Sequence, residues 1–169
     1  MKNNEQDFQL YEEFEKCVEN MIYSEPILKM GGFVHHNSTT CMDHSIYVAY
    51  TSFRISKKLG LDYISTARGA MLHDLFLYNW RENKRKLGRK GMHGFTHPKA
   101  ALSNASKYFD INKIEKDIIV KHMWPLTIVP PRYAESFIVC LADKYCAMVE
   151  LTSIGTKTTK RLKEMYAIY

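Results

Sequence analysis

Apolar residues along the chain recur mainly three and four positions apart rather than at every second position, a spacing that predicts helices and little sheet. On that periodicity the chain divides into helices over about 5–22, 40–59, 62–77, 97–109, 111–123, 133–152 and 155–167. Local chemistry supports several of their ends. Thr40-Cys41-Met42-Asp43 reads as a capping-box-like start, with the Thr40 side chain accepting from a free backbone N–H. Gly60 suits the left-handed residue that closes a helix, and Asp62 and Asn112 suit the caps of the next two. Pro130-Pro131 forbids helix just before it and permits a start just after. Two long loops remain, 23–39 and 78–96, and long loops inside a compact domain are often functional.

A chain of 169 residues, 46% apolar and 25% charged, fits one globular all-α domain spanning 1–169. It contains no apolar run of about 18 residues, so no membrane-spanning helix is expected. The start, MKNNEQDFQLYEEFEK, lacks the basic residues and apolar stretch of a secretory signal, and a cytoplasmic location follows as an expectation. Cys17, Cys41, Cys140 and Cys146 are scattered without CxxC spacing, which favours buried free thiols over disulfides or thiolate zinc. The formal charge is +6, and six Lys/Arg fall within residues 81–91, RENKRKLGRKG. That segment reads either as a solvated loop or as a rim that attracts phosphate. Nucleic acid is a weaker partner for it, because no aromatic residues are interleaved for base stacking. The basic, amphipathic KTTKRLKEMYAIY near the end reads as a helix packing its apolar stripe on the domain, with a membrane or partner surface as the alternative.

Against this background the stretch ARGAMLHDLFLYNW, residues 67–80, stands out. It places His73 and Asp74 side by side inside an apolar helix, where polar groups are costly without partners. His44 lies early in the helix 40–59, His97 opens the helix 97–109, His122 falls near the end of the helix 111–123, and Asp143 sits inside the apolar IVCLADKYCAMVE. One histidine on an apolar face is ordinarily a hydrogen-bonded core residue. Four histidines and two aspartates on five successive helices are satisfied together by a divalent metal, and imidazole with carboxylate suits zinc, iron and manganese.

The combined pattern, His44 in DHSIYVAY, His73-Asp74 in RGAMLHDLF and Asp143 in LADKY, resembles the HD-domain superfamily of metal-dependent phosphohydrolases over about residues 33–150. His97 in THPKAA and His122 in VKHMWP resemble its dinuclear branch, which includes cyclic-dinucleotide phosphodiesterases. The resemblance implies an all-α bundle with a metal site in its core. It implies that His44, His73, Asp74 and Asp143 hold one metal, with Asp74 bridging to a second that is also held by His97 and His122. Two departures disfavour cyclic-di-GMP: HGFTHP stands where that branch carries GYP, and Thr39 and Thr40 lie where some members place a glutamate.

The expected function is hydrolysis of a nucleotide or other small phosphate ester by a metal-activated hydroxide, since a bound metal lowers the pKa of its water from 15.7 toward ~7. One or two divalent ions (Fe, Mn or Zn) are the implied cofactors. Asp74 and Lys144 are the expected catalytic residues, Lys144 neutralising a phosphate oxygen as a point charge or else contacting Asp74 or Asp143. His36, His93, Arg81 and Arg85, with Lys84, are candidates for substrate contact, and either histidine would serve as a proton donor to a leaving group. His35 reads as exposed. Two other readings stay open: a di-iron oxygenase, which the same ligand set supports elsewhere in the superfamily, and a non-catalytic metal-binding module.

Overall fold

The computed structural model describes residues 2–36, 39–78 and 93–151, apart from the side chains of 2–6, 35, 36, 93 and 94. In chain order the elements are α1 (Lys2–Ile22), α2 (Glu25–Met30), β1 (Val34–His36), β2 (Thr39–Thr40), α3 (Cys41–Lys58), α4 (Tyr63–Leu72), α5 (His93–Tyr108), α6 (Lys113–Lys121) and α7 (Ala134–Glu150). The architecture is all-helical, as the periodicity predicts. Its only strands among the described residues are the short antiparallel pair β1–β2, in which Val34 faces Thr40 and His36 faces Thr39.

The helix starts follow the expected chemistry. Thr40 and Asp43 form a reciprocal capping box, each side chain taking the other's backbone N–H at 3.1 Å. Asn112 and Glu115 do the same for α6, at 2.9 and 3.0 Å. Asp62 caps α4 by accepting from the Ser65 N–H at 2.9 Å. Gly60, at φ 69°, ends α3. Its N–H reaches Lys57 O and the Leu61 N–H reaches Ser56 O, the paired bonds of a Schellman motif.

Three expectations are corrected. The loop expected over 23–39 contains α2, started by Ser24 with Pro26 in its first turn, and the strand pair. The helix expected over 62–77 ends at Leu72, so His73 and Asp74 lie on the turn beyond it, not in its middle. The apolar run continues past the end because this turn is itself buried. α5 starts at His93 rather than at His97, and Pro98 lies inside it. The expected helix 155–167 and the basic segment 81–91 lie outside the described residues.

α3 packs against α4 and α7, α4 packs against α6, and α6 packs against both α5 and α7. Phe14, Met21, Ile22, Phe53, Met71, Leu72, Ile118 and Ile119 fill the space between them and are fully buried. Gly69 sets the approach of α4 and α6. A Cβ there would stand 2.7 Å from Ile118 Cδ1 and 3.2 Å from Glu115 Cα. Beside it Arg68 donates to Glu115 Oε1 at 2.6 Å, to Asp110 O at 2.9 Å and to Asn20 Oδ1 at 3.1 Å, joining α1, α4 and the start of α6. All four cysteines are free and buried. Among the described residues no helix is long and apolar enough to cross a membrane.

Candidate metal centre

The ends of α4 and α6 deliver two histidines by the same local device. His73 and His122 are the C-cap residues of these helices. Each uses Nδ1 to reach the carbonyl three residues back, Ala70 O at 2.6 Å and Ile119 O at 2.8 Å. The last carbonyls of a helix lack intrahelical partners, so a ring N–H there is doubly satisfied. With Nδ1 donating, Nε2 of each ring keeps its lone pair and faces inward.

Beyond His73 the chain turns sharply, with Leu75 N–H to Leu72 O at 3.1 Å and Phe76 N–H to Asp74 O at 2.7 Å. Asn104 of α5 secures the turn by donating to Leu75 O at 2.7 Å. Asp74 is thereby aimed at the bundle interior. Its Oδ1 lies 3.2 Å from His97 Nε2 and 3.5 Å from His122 Nε2, and its Oδ2 lies 3.7 Å from His73 Nε2. His97 and His122 bring their Nε2 atoms within 2.7 Å of each other.

On the other side, His44 stands in the first turn of α3 and is fully buried. Its Nε2 meets Asp143 Oδ1 at 3.0 Å, while its Nδ1 meets both oxygens of Glu150 at 3.0 and 3.1 Å. Asp143 Oδ1 is also 3.8 Å from His73 Nε2. All six residues singled out from the sequence therefore converge. Five of them fall into two groups, His44–His73–Asp74 and Asp74–His97–His122, within each of which the ligand-capable atoms lie within 4.8 Å of one another, and Asp143 joins the first through His44. Asp74 belongs to both.

Protonation follows from this crowding. Burial opposes a charge on His44, but the hydrogen bonds to Asp143 and Glu150 outweigh it and hold its proton up to about 10. His122 is pushed down to about 3 by burial and by neighbouring His73. Burial works against the Asp143 carboxylate, yet its hydrogen bond to His44, with the His73 ring close by, brings it well below the usual range.

The side chains fit a divalent ion. Nitrogen and carboxylate oxygen donors suit zinc, iron or manganese. The buried Nε2 of His73 has no hydrogen-bond partner among the described residues, a deficit of about 1–3 kcal/mol that a ligand at this position removes.

Other predicted residues are placed differently. The Lys144 ammonium donates to His122 O at 3.0 Å and Cys140 O at 3.2 Å, so it braces the end of α6 against α7 and touches neither Asp74 nor Asp143 at hydrogen-bond distance. The side chains of His36 and His93, and Arg81, Lys84 and Arg85 entirely, lie outside the described residues. Along the backbone His93 sits one helical turn before His97. Tyr78 is the last described residue before the basic segment, and its phenol is pushed up by burial and by the charge on Asp74. Sequence reasoning missed Glu150. The available signal was its position seven residues after Asp143, two turns along the same face of an apolar helix.

The interior of this helical bundle gathers histidine and aspartate side chains from α3, α5, α7 and the ends of α4 and α6, a donor set consistent with a metal site. The sequence profile of the HD domain matches residues 42–148, well over half of the chain, and the protein belongs to that family, whose members are typically metal-dependent phosphohydrolases. No curated protein and no solved structure matches the chain.

Proposed function

We propose that this protein is a metal-dependent phosphohydrolase of the dinuclear, four-His two-Asp kind, acting on a nucleotide or another small phosphate ester. The observation that carries this reading is the orientation of Asp74, with one oxygen toward His97 and His122 and the other toward His73. A single carboxylate facing two sets of imidazoles is the arrangement that two ions require. On this reading His44, His73, Asp74 and Asp143 hold one ion, and Asp74, His97 and His122 the other. Iron, manganese and zinc all suit the donors. When bound, such ions supply Lewis acidity and a water acidic enough to ionise near neutral pH.

The chain's own groups then position the substrate. Asp143 is the most exposed of the six, with 15% of its side chain open compared with 7% or less for Asp74, His44, His73, His97 and His122, so substrate approaches from its side. Lys144 uses two of its three donors on carbonyls and keeps a third for a phosphate oxygen. Six Lys/Arg in eleven residues support the basic segment 81–91, Arg81 and Arg85 included, as a phosphate-attracting rim. His36 and His93 are kept as the candidate proton donors to the leaving oxygen, on the chemistry of imidazole.

The test is metal content per chain, measured on protein purified without chelator or metal-affinity resin, beside hydrolysis assays on monophosphates, diesters and cyclic nucleotides. Two ions in the wild type, falling to about one in His97→Ala together with lost hydrolysis, are expected. One ion in both would leave a mononuclear enzyme. A mixed-valent iron signal with dioxygen uptake and no hydrolysis would move the protein to oxygen chemistry.

A further inference from the structure

Glu150 is the last residue of α7 and lies just beyond the stretch that matches the HD domain. Its side chain is fully buried. The position is unfavourable for an anion, because a helix C-terminus carries partial negative charge and burial strips the carboxylate of water. Its carboxylate nevertheless straddles His44 Nδ1, with both oxygens at hydrogen-bond distance. The other nitrogen of the same ring points at Asp143. His44 is thus held from both sides by two acidic residues that stand seven positions apart on one helix.

We infer that Glu150 is a positioning residue of the metal centre: it fixes the His44 ring by accepting from Nδ1–H, so that the Nε2 lone pair is directed inward. This rests on the metal-centre reading above. A carboxylate behind a ligating imidazole sets the tautomer, restrains the ring and raises the basicity of the ligating nitrogen. A buried acid at the wrong end of a helix is the cost of that control. It also accounts for a second acid two turns beyond Asp143 on the buried face of α7. Asp143 faces the centre directly, and Glu150 acts through His44.

The experiment titrates the metal-free full chain with Co2+ alone, followed by visible absorption and by competition with a chromophoric chelator. Wild type, Glu150→Gln and Glu150→Asp are compared, and circular dichroism checks that each is folded. Glu150→Gln is expected to bind Co2+ on the order of 10–100-fold more weakly, with altered absorption bands. Glu150→Asp, which keeps the charge, recovers part of the affinity. Wild-type affinity and an unchanged spectrum in Glu150→Gln would overturn the inference and leave the metal centre standing. Absence of Co2+ binding in the wild type would remove the metal centre, and this role with it. Should Glu150→Gln not fold, nitrogen NMR of the zinc-loaded wild type decides: a proton on His44 Nδ1 supports the role, and a bare Nδ1 overturns it.

Discussion

On the proposed ligand set, the His44 ring couples acid–base chemistry to metal uptake. In the metal-free protein it keeps its proton up to about 10, because Asp143 and Glu150 outweigh the effect of burial. A metal bonds only the deprotonated Nε2, so below that pH a proton must leave as the ion arrives. Affinity should therefore rise with pH, by about tenfold per unit for one displaced proton, and level off near 10. His122, held down to about 3, is already neutral over this range and adds no dependence of its own. Calorimetric titrations of metal in buffers of different ionisation heat measure the released proton directly. A pH-independent affinity between 6 and 9 would contradict the assignment of His44 as a ligand. At this scale much was legible in the sequence. Six polar residues on apolar stretches are all satisfied by one shared centre, and the structure brings them to one place. Glu150 was not legible because a lone glutamate at a helix end ordinarily faces water.

Among the elements, the pairing of α4 with α6 depends on the missing side chain at Gly69. Gly69→Ala places a methyl 2.7 Å from Ile118 Cδ1 and 3.2 Å from the α6 backbone at Glu115, so the helices must part or Ile118 must move. The cost expected for such overpacking is about 1–3 kcal/mol, despite the better helix propensity of alanine. Urea denaturation of the metal-free forms would measure it. An unchanged midpoint would show that the contact yields freely. The capped helix starts were readable because Thr40, Asp62 and Asn112 act on their own next turn. The end of α4 was not, since hydrophobic periodicity cannot tell a buried turn from another turn of helix. α2 was missed for a different reason: six residues are too few to show a period, although Ser24 and Pro26 mark its start. α5 begins one turn earlier than the expected 97, and Pro98 lies inside it.

Across the whole molecule, the centre is a cross-brace. His44 and Asp143 are 99 residues apart, and His97 and His122 come from two further helices. An ion that binds only this assembled set stabilises the folded state by about 4 kcal/mol when present at a thousand times its Kd. Chelation should accordingly lower the thermal midpoint of the whole bundle in one transition, and readdition of metal should restore it. Loss of only a local signal, with the main transition unmoved, would place the ion outside the core. The all-helical class and the ligand-bearing helices were legible at this scale, since periodicity and residue type both act over short distances. The pairing of ligands across the bundle was not, because it depends on which helix ends meet.

Those helix ends carry a consequence for the order in which molecules arrive. α4 and α6 both point their C-termini at the centre, and Asp74, Asp143 and Glu150 surround it. On the proposed reading, a phosphate reaching the metal-free protein meets two negative helix poles and three acids, offset by a protonated His44. Cations bound there would turn the local field toward an anion, so metal taken up ahead of substrate is the order this field favours.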